Sequence, residues 1–163
     1  MTRVRILFVL FLFLTFINHN LAYSASSGTV TITGTVPSAC DITVFTESGA
    51  TIADLTTGAT NLHVATVTEN CNDPDGYTVT MVGTNSTDHT GLFIDSVSSD
   101  TLAFTVTYDS VSVASGGVVT DVNTTSGGDV SKDVDITYSA DSSLTASASN
   151  TYSETLTFTI AAK

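Results

Sequence analysis

The sequence predicts an all-β fold, on three observations. Of 163 residues, 51 are Ser or Thr, and Val and Asp are frequent among the rest. That is the vocabulary of strands and turns rather than of helices. Apolar residues recur at every second position over short runs, the period of a half-buried strand. Gly, Pro, Asn and Asp clusters separate those runs at intervals of roughly 8–20 residues, the spacing of strands in a sandwich or barrel.

The first elements are a leader and a strand. Arg3 and Arg5 precede an apolar run from Ile6 to Ile17, and Ala22-Tyr23-Ser24 supplies small residues for cleavage after Ser24. This is the three-part pattern of a secretory signal peptide, too short to span a bilayer. It assigns 1–24 to a signal and leaves 139 residues, the size of one domain. In Gly28-Thr-Val-Thr-Ile-Thr-Gly-Thr-Val36, Val30, Ile32, Gly34 and Val36 share one face and four threonines the other. Pro37 ends this strand, because it has no N–H for a ladder.

The remaining runs follow in order. Asp41–Phe45 carries Ile42 and Val44. Leu62–Val67 is a short apolar segment. Tyr77–Val82 follows the turn Asn72-Asp-Pro-Asp-Gly76. Leu102, Phe104, Val106 and Tyr108 alternate. Val111 and Val113 precede Gly116-Gly117, and Val118–Val122 follows it. Val130, Val134, Ile136 and Tyr138 come after Gly127-Gly128, and Leu156, Phe158 and Ile160 mark a last strand within Tyr152–Ala162. Seven to nine strands without a convincing helix imply an immunoglobulin-like β-sandwich rather than βαβ units.

Charge and cysteine narrow the function. The formal net charge is −12. Without the leader, Lys132 and Lys163 stand against 16 acidic residues, a net −14. Such a chain lacks the Lys and Arg clusters that phosphate neutralisation needs, so nucleic acid is not an expected partner. The acidic balance reads as a solvated, self-repelling surface. Cys40 and Cys71, the only cysteines of an exported chain, are expected to form one disulfide.

Catalytic chemistry is not expected. His63 and His89 are unclustered, and no nucleophile elbow, zincin motif or phosphate loop occurs. Asp73-Pro-Asp-Gly76 resembles the start of a calcium loop but lacks the later acidic ligands, and reads as a β-turn. Asn85-Ser-Thr and Asn123-Thr-Thr fit glycosylation sequons, two matches that chance supplies in so Ser/Thr-rich a chain. Neither a metal nor a cofactor is expected.

The anomaly is the cleanest strand, which follows the cleavage site and precedes the first cysteine. A strand at a free terminus is able to complement a sheet edge on another molecule, with main-chain hydrogen bonds giving affinity. With Ser26–Val36 leading to Cys40, with Cys71 in Glu69-Asn-Cys-Asn-Asp73 before Tyr77–Val82, and with the closing Tyr152-Ser-Glu-Thr-Leu-Thr-Phe-Thr-Ile160, the chain resembles the pilins of the chaperone–usher pathway. More narrowly, it is similar to their archaic, spore-coat-U-like branch.

The resemblance implies a signal peptide over 1–24, a donor-strand extension over 25–36 and an incomplete domain over 37–163. Its sandwich would be completed by donor-strand complementation, with Val30, Ile32, Gly34 and Val36 as the donor face. Tyr152, Leu156, Phe158 and Ile160 would form the strand that contacts a periplasmic chaperone. The implied partners are copies of the chain or related pilins, that chaperone and an outer-membrane usher. The implied function is a structural subunit of a surface fimbria that supports adhesion or biofilm formation. The closing Ala-Ala-Lys163 departs from the family's pattern by adding a positive charge at that end. The competing reading is a stand-alone secreted immunoglobulin-like adhesin or glycan-binding module.

Overall fold

A computed structural model describes residues 26–86, 91–113, 117–124, 127–147 and 151–163. The expected signal peptide and His89 lie outside them. The chain divides into two units, Met1–Thr35 and Val36–Lys163. Of the first, residues 26–35 are described, and they contain neither strand nor helix.

The second unit is all-β, and every ladder is antiparallel. Its strands are β1 (Cys40–Thr46), β2 (Ala59–Cys71), β3 (Tyr77–Gly83), β4 (Gly91–Asp95) and β5 (Thr101–Tyr108). They continue with β6 (Val111–Ser112), β7 (Val118–Val122), β8 (Asp129–Tyr138), β9 (Tyr152–Ser153) and β10 (Leu156–Ala162). One sheet runs β1-β2-β8-β5-β4-β9, with β6 paired to β5; the other runs β10-β3-β7. Short 3₁₀ turns at Ser48–Ala50, Leu55–Thr57 and Ser142–Ser147 are the only helical elements among the described residues.

Alternation decides which side chains enter the core. In β5, Leu102, Phe104, Val106 and Tyr108 are buried while Thr101, Ala103 and Thr105 face water. In β3, Tyr77, Val79 and Met81 are buried. Val67, Val134 and Ile136 join them, and Phe93 stacks on Phe104 with ring centroids 4.5 Å apart. Gly91 makes that contact possible, because a Cβ there would lie 1.8 Å from the Phe104 ring.

Four expectations need correction. Gly28–Val36 forms no strand in this chain, because a strand exists only with a ladder partner. β4 was not anticipated: Leu92-Phe93-Ile94 is a continuous apolar triplet without period two. The described strands therefore number ten. Tyr152–Ala162 is two strands, because β9 pairs with β4 whereas β10 pairs with β3 in the other sheet.

Cys40 and Cys71 form the expected disulfide, across the first rung of the β1–β2 ladder. The double replacement Cys40→Ser, Cys71→Ser is expected to cost about 3 kcal/mol, because it frees a loop closed over 31 residues. A urea titration of both proteins measures this, and an unchanged midpoint would refute it.

Candidate functional site

Each sheet has one edge that meets the other sheet. Among the described residues β1 pairs only with β2, and β10 only with β3, and parts of β1 and β10 approach each other. Between them runs a groove of about 230 Å³. Val44 and Thr46 form one wall, Leu156 and Phe158 the other, and Val64, Phe93, Phe104 and Ile136 line it further. The groove is apolar because it opens directly onto the core of the domain.

Burial along the two walls is incomplete. Val44 shares a face with Ile42, yet is 45% exposed. Leu156 and Ile160 alternate with the buried Phe158 but are themselves only half-buried. Phe158 is held from below by Tyr108, at 5.7 Å between centroids. Partly wet apolar side chains beside exposed strand edges make this an apolar patch able to receive a further strand.

The crossover from β9 to β10 contributes Glu154 and Thr155 to the lining of the groove. The Glu154 carboxylate accepts hydrogen bonds from the backbone N–H groups of Asn85, Leu92 and Thr155, at 2.8–3.3 Å. The Asn85 amide donates to the carbonyls of Leu92 and Ser153. These bonds hold the chain where it changes sheets. They also engage the side chain of the first sequon.

Of the expected donor-face residues, Val30, Ile32 and Val36 are exposed at 84%, 89% and 86%. Of the residues expected to meet a chaperone, Leu156 and Phe158 line the groove. Ile160 continues their face on β10, and Tyr152 sits apart on β9. Lys163 does not project free: its ammonium bonds Asp121 and Asn123 at the end of β7. The other lysine, Lys132, pairs with Asp109 at 2.5 Å.

The remaining candidates resolve into local structure. His63 Nδ1 lies 3.0 Å from Asp135, and Nε2 lies 3.3 Å from the Thr66 hydroxyl. Glu47 and Asp133 stand about 4 Å off, so the ring is a strand residue among carboxylates. In the Asp73–Gly76 turn, Asp73 accepts from the backbone N–H of Asp75. Hydrogen bonds from Ser38 and Asp75 hold its carboxyl below the usual range. Gly76 has φ +94°, and a Cβ there would meet the Val122 carbonyl at 1.9 Å. The geometry is that of a tight turn that only glycine enters.

Sequence reasoning missed one interior feature. Glu69 on β2 is fully buried, and among the described residues no ion pair engages it. It accepts from the hydroxyls of Tyr77 (2.9 Å), Tyr108 (2.5 Å) and Thr120 (2.7 Å). These come from β3, β5 and β7, so one carboxylate joins both sheets. The available signal was its place in the inward series Ala65, Val67, Glu69, Cys71.

Neither a family model nor a curated protein matches the chain.

Proposed function

We propose that this protein is a structural subunit of a surface fibre, polymerised by strand insertion in the manner of chaperone–usher pilins. The domain is then an immunoglobulin-like sandwich that lacks one strand. The groove between β1 and β10 receives residues 26–36 of a second copy. One observation carries this reading: an apolar groove bounded by two unpaired strand edges whose inward side chains are left partly uncovered.

The extension matches β10 in period and the apolar lining of the groove in its lack of charge. Val30, Ile32, Gly34 and Val36 place four side-chain positions on one face, as Leu156, Phe158, Ile160 and Ala162 do on β10. Residues 26–36 carry no charge in a chain with 16 acidic residues, so they enter an apolar site without desolvating an ion. Before assembly the same edges would be covered by a periplasmic chaperone, and an outer-membrane usher would deliver the subunit to the cell surface. Adhesion or biofilm support is the role that such a fibre would serve.

Ile32→Asp in the chain from residue 25 onward tests this. The wild-type protein is expected to form fibres visible by negative-stain electron microscopy, and the variant to remain monomeric, because it would place a charge in the groove. Thr31→Asp, on the opposite face, should still polymerise. If both aspartate variants assemble like wild type, the extension is not the inserting strand. A stand-alone immunoglobulin-like binding module would then be the better reading.

A further inference from the structure

The extension leaves a root that is held on every side. Asn72, just after β2, donates through Nδ2 to the Pro37 carbonyl at 3.1 Å and accepts through Oδ1 from the Ala39 N–H at 2.7 Å. Its own backbone N–H donates to the Ala39 carbonyl at 3.1 Å. The Ser38 hydroxyl donates to the Asp73 carboxylate at 2.7 Å, and the Cys40–Cys71 bridge closes the next rung. Pro37 adds a fixed φ of its own. Val36, the last apolar residue of the donor face, is therefore one residue from a clamped backbone.

We propose that Asn72 is a positioning residue that fixes the backbone of Pro37–Ala39 against its own domain, and so the angle between successive subunits of the fibre. This rests on the strand-insertion reading. In a fibre joined that way, Pro37–Ala39 is the whole connection between the strand buried in one copy and the domain of the next. A connection of three free residues would swivel, whereas one bonded at Pro37, Ser38 and Ala39 transmits orientation. Asn suits the task because its carboxamide presents a donor and an acceptor together, as a neighbouring peptide group would. Asp lacks the donor.

The test uses fibres of the chain from residue 25 onward, as wild type, Asn72→Ala and Asn72→Asp, with persistence length measured by electron microscopy. Asn72→Ala is expected to shorten it by about twofold or more. Asn72→Asp, which keeps the acceptor for Ala39, should fall between the two. Affinity of the groove for a synthetic peptide of residues 26–36 serves as the control. It should change by less than about twofold, because Asn72 does not line the groove. Wild-type stiffness in Asn72→Ala fibres would overturn the positioning role and leave strand insertion standing. Equal losses in peptide affinity and stiffness would also overturn it, since they mark a general weakening of the fold. Absence of fibres from the wild-type chain would instead remove strand insertion itself.

Discussion

Under the proposed strand insertion, moving Gly28–Val36 to the other end of the chain should turn a polymerising subunit into a stable monomer. In this variant Gly28–Val36 is deleted and the same nine residues are appended after Lys163 through a short Gly/Ser linker. β10 runs from Leu156 to Ala162 along one wall of the groove, so an appended strand folds back beside it as an antiparallel hairpin. Burial of Val30, Ile32 and Val36 contributes about 1.5–3 kcal/mol each. New cover over Val44, Leu156 and Ile160 adds to this, and ladder bonds contribute about 0.5–1.5 kcal/mol apiece. Ordering nine residues opposes a large part of the gain. A net stabilisation of about 5 kcal/mol is expected, and with it a melting temperature higher by roughly 10–20 °C. Ile32→Asp in the appended strand should abolish most of that rise, and Thr31→Asp little of it. A deleted chain without the appended strand that melts as high as the fused one would mean that the domain is already complete.

Loss of the Glu69 carboxylate is the second large effect. Glu69→Ala would strand the Tyr77 and Tyr108 hydroxyls in a dry interior and deprive Thr120 of its acceptor. Each orphaned buried hydroxyl costs about 1–3 kcal/mol, so a loss of about 4 kcal/mol is expected. Glu69→Gln keeps one carbonyl oxygen and should cost about half as much. Guanidinium titration of the three proteins decides this, and a Glu69→Ala loss under 1 kcal/mol would show that the sheets hold without the network. The same network has an alkaline signature. Burial, reinforced by Glu69, pushes the Tyr77 phenol from 10.0 up to about 12 and raises Tyr108 as well. A folded-state pKa above the unfolded one means stability that is full below pH 10 and lost as pH climbs towards 12. The unfolding midpoint should therefore fall across that window, and less steeply in Tyr77→Phe.

Period-two alternation made much of the fold readable. β1, β3, β5, β7 and β8 fall where Ile42, Tyr77–Val82, Leu102–Tyr108, Val118–Val122 and Val134–Tyr138 place them. The strand that was not readable, β4, is apolar on three successive residues, and period two is silent there. The break between β9 and β10 was hidden for a different reason. Tyr152, Leu156, Phe158 and Ile160 keep one parity throughout, and only the pairing of β9 with β4 and of β10 with β3 reveals a change of sheet. The groove itself was inaccessible to local pattern. Its lining comes from β1, β2, β4, β5, β8 and β10, and the order β1-β2-β8-β5 depends on pairings distant in sequence. Glu69 lay in plain view as a carboxylate at an inward position. Its meaning depended on two tyrosines and a threonine that converge on it from other strands.

The pairing of Lys132 has a consequence for digestion. Between residues 25 and 163 it is the only internal lysine or arginine, so trypsin has a single peptide bond to find there. That bond lies within β8, which is laddered to β2 through Val67 opposite Lys132, and the ammonium is held by Asp109. A protease needs the substrate backbone extended and free of partners, which here requires a central strand to leave its sheet. Tryptic cleavage thus reports the opening of β8 and little else, and the intact protein yields almost no peptides of the size that mass spectrometry ordinarily detects.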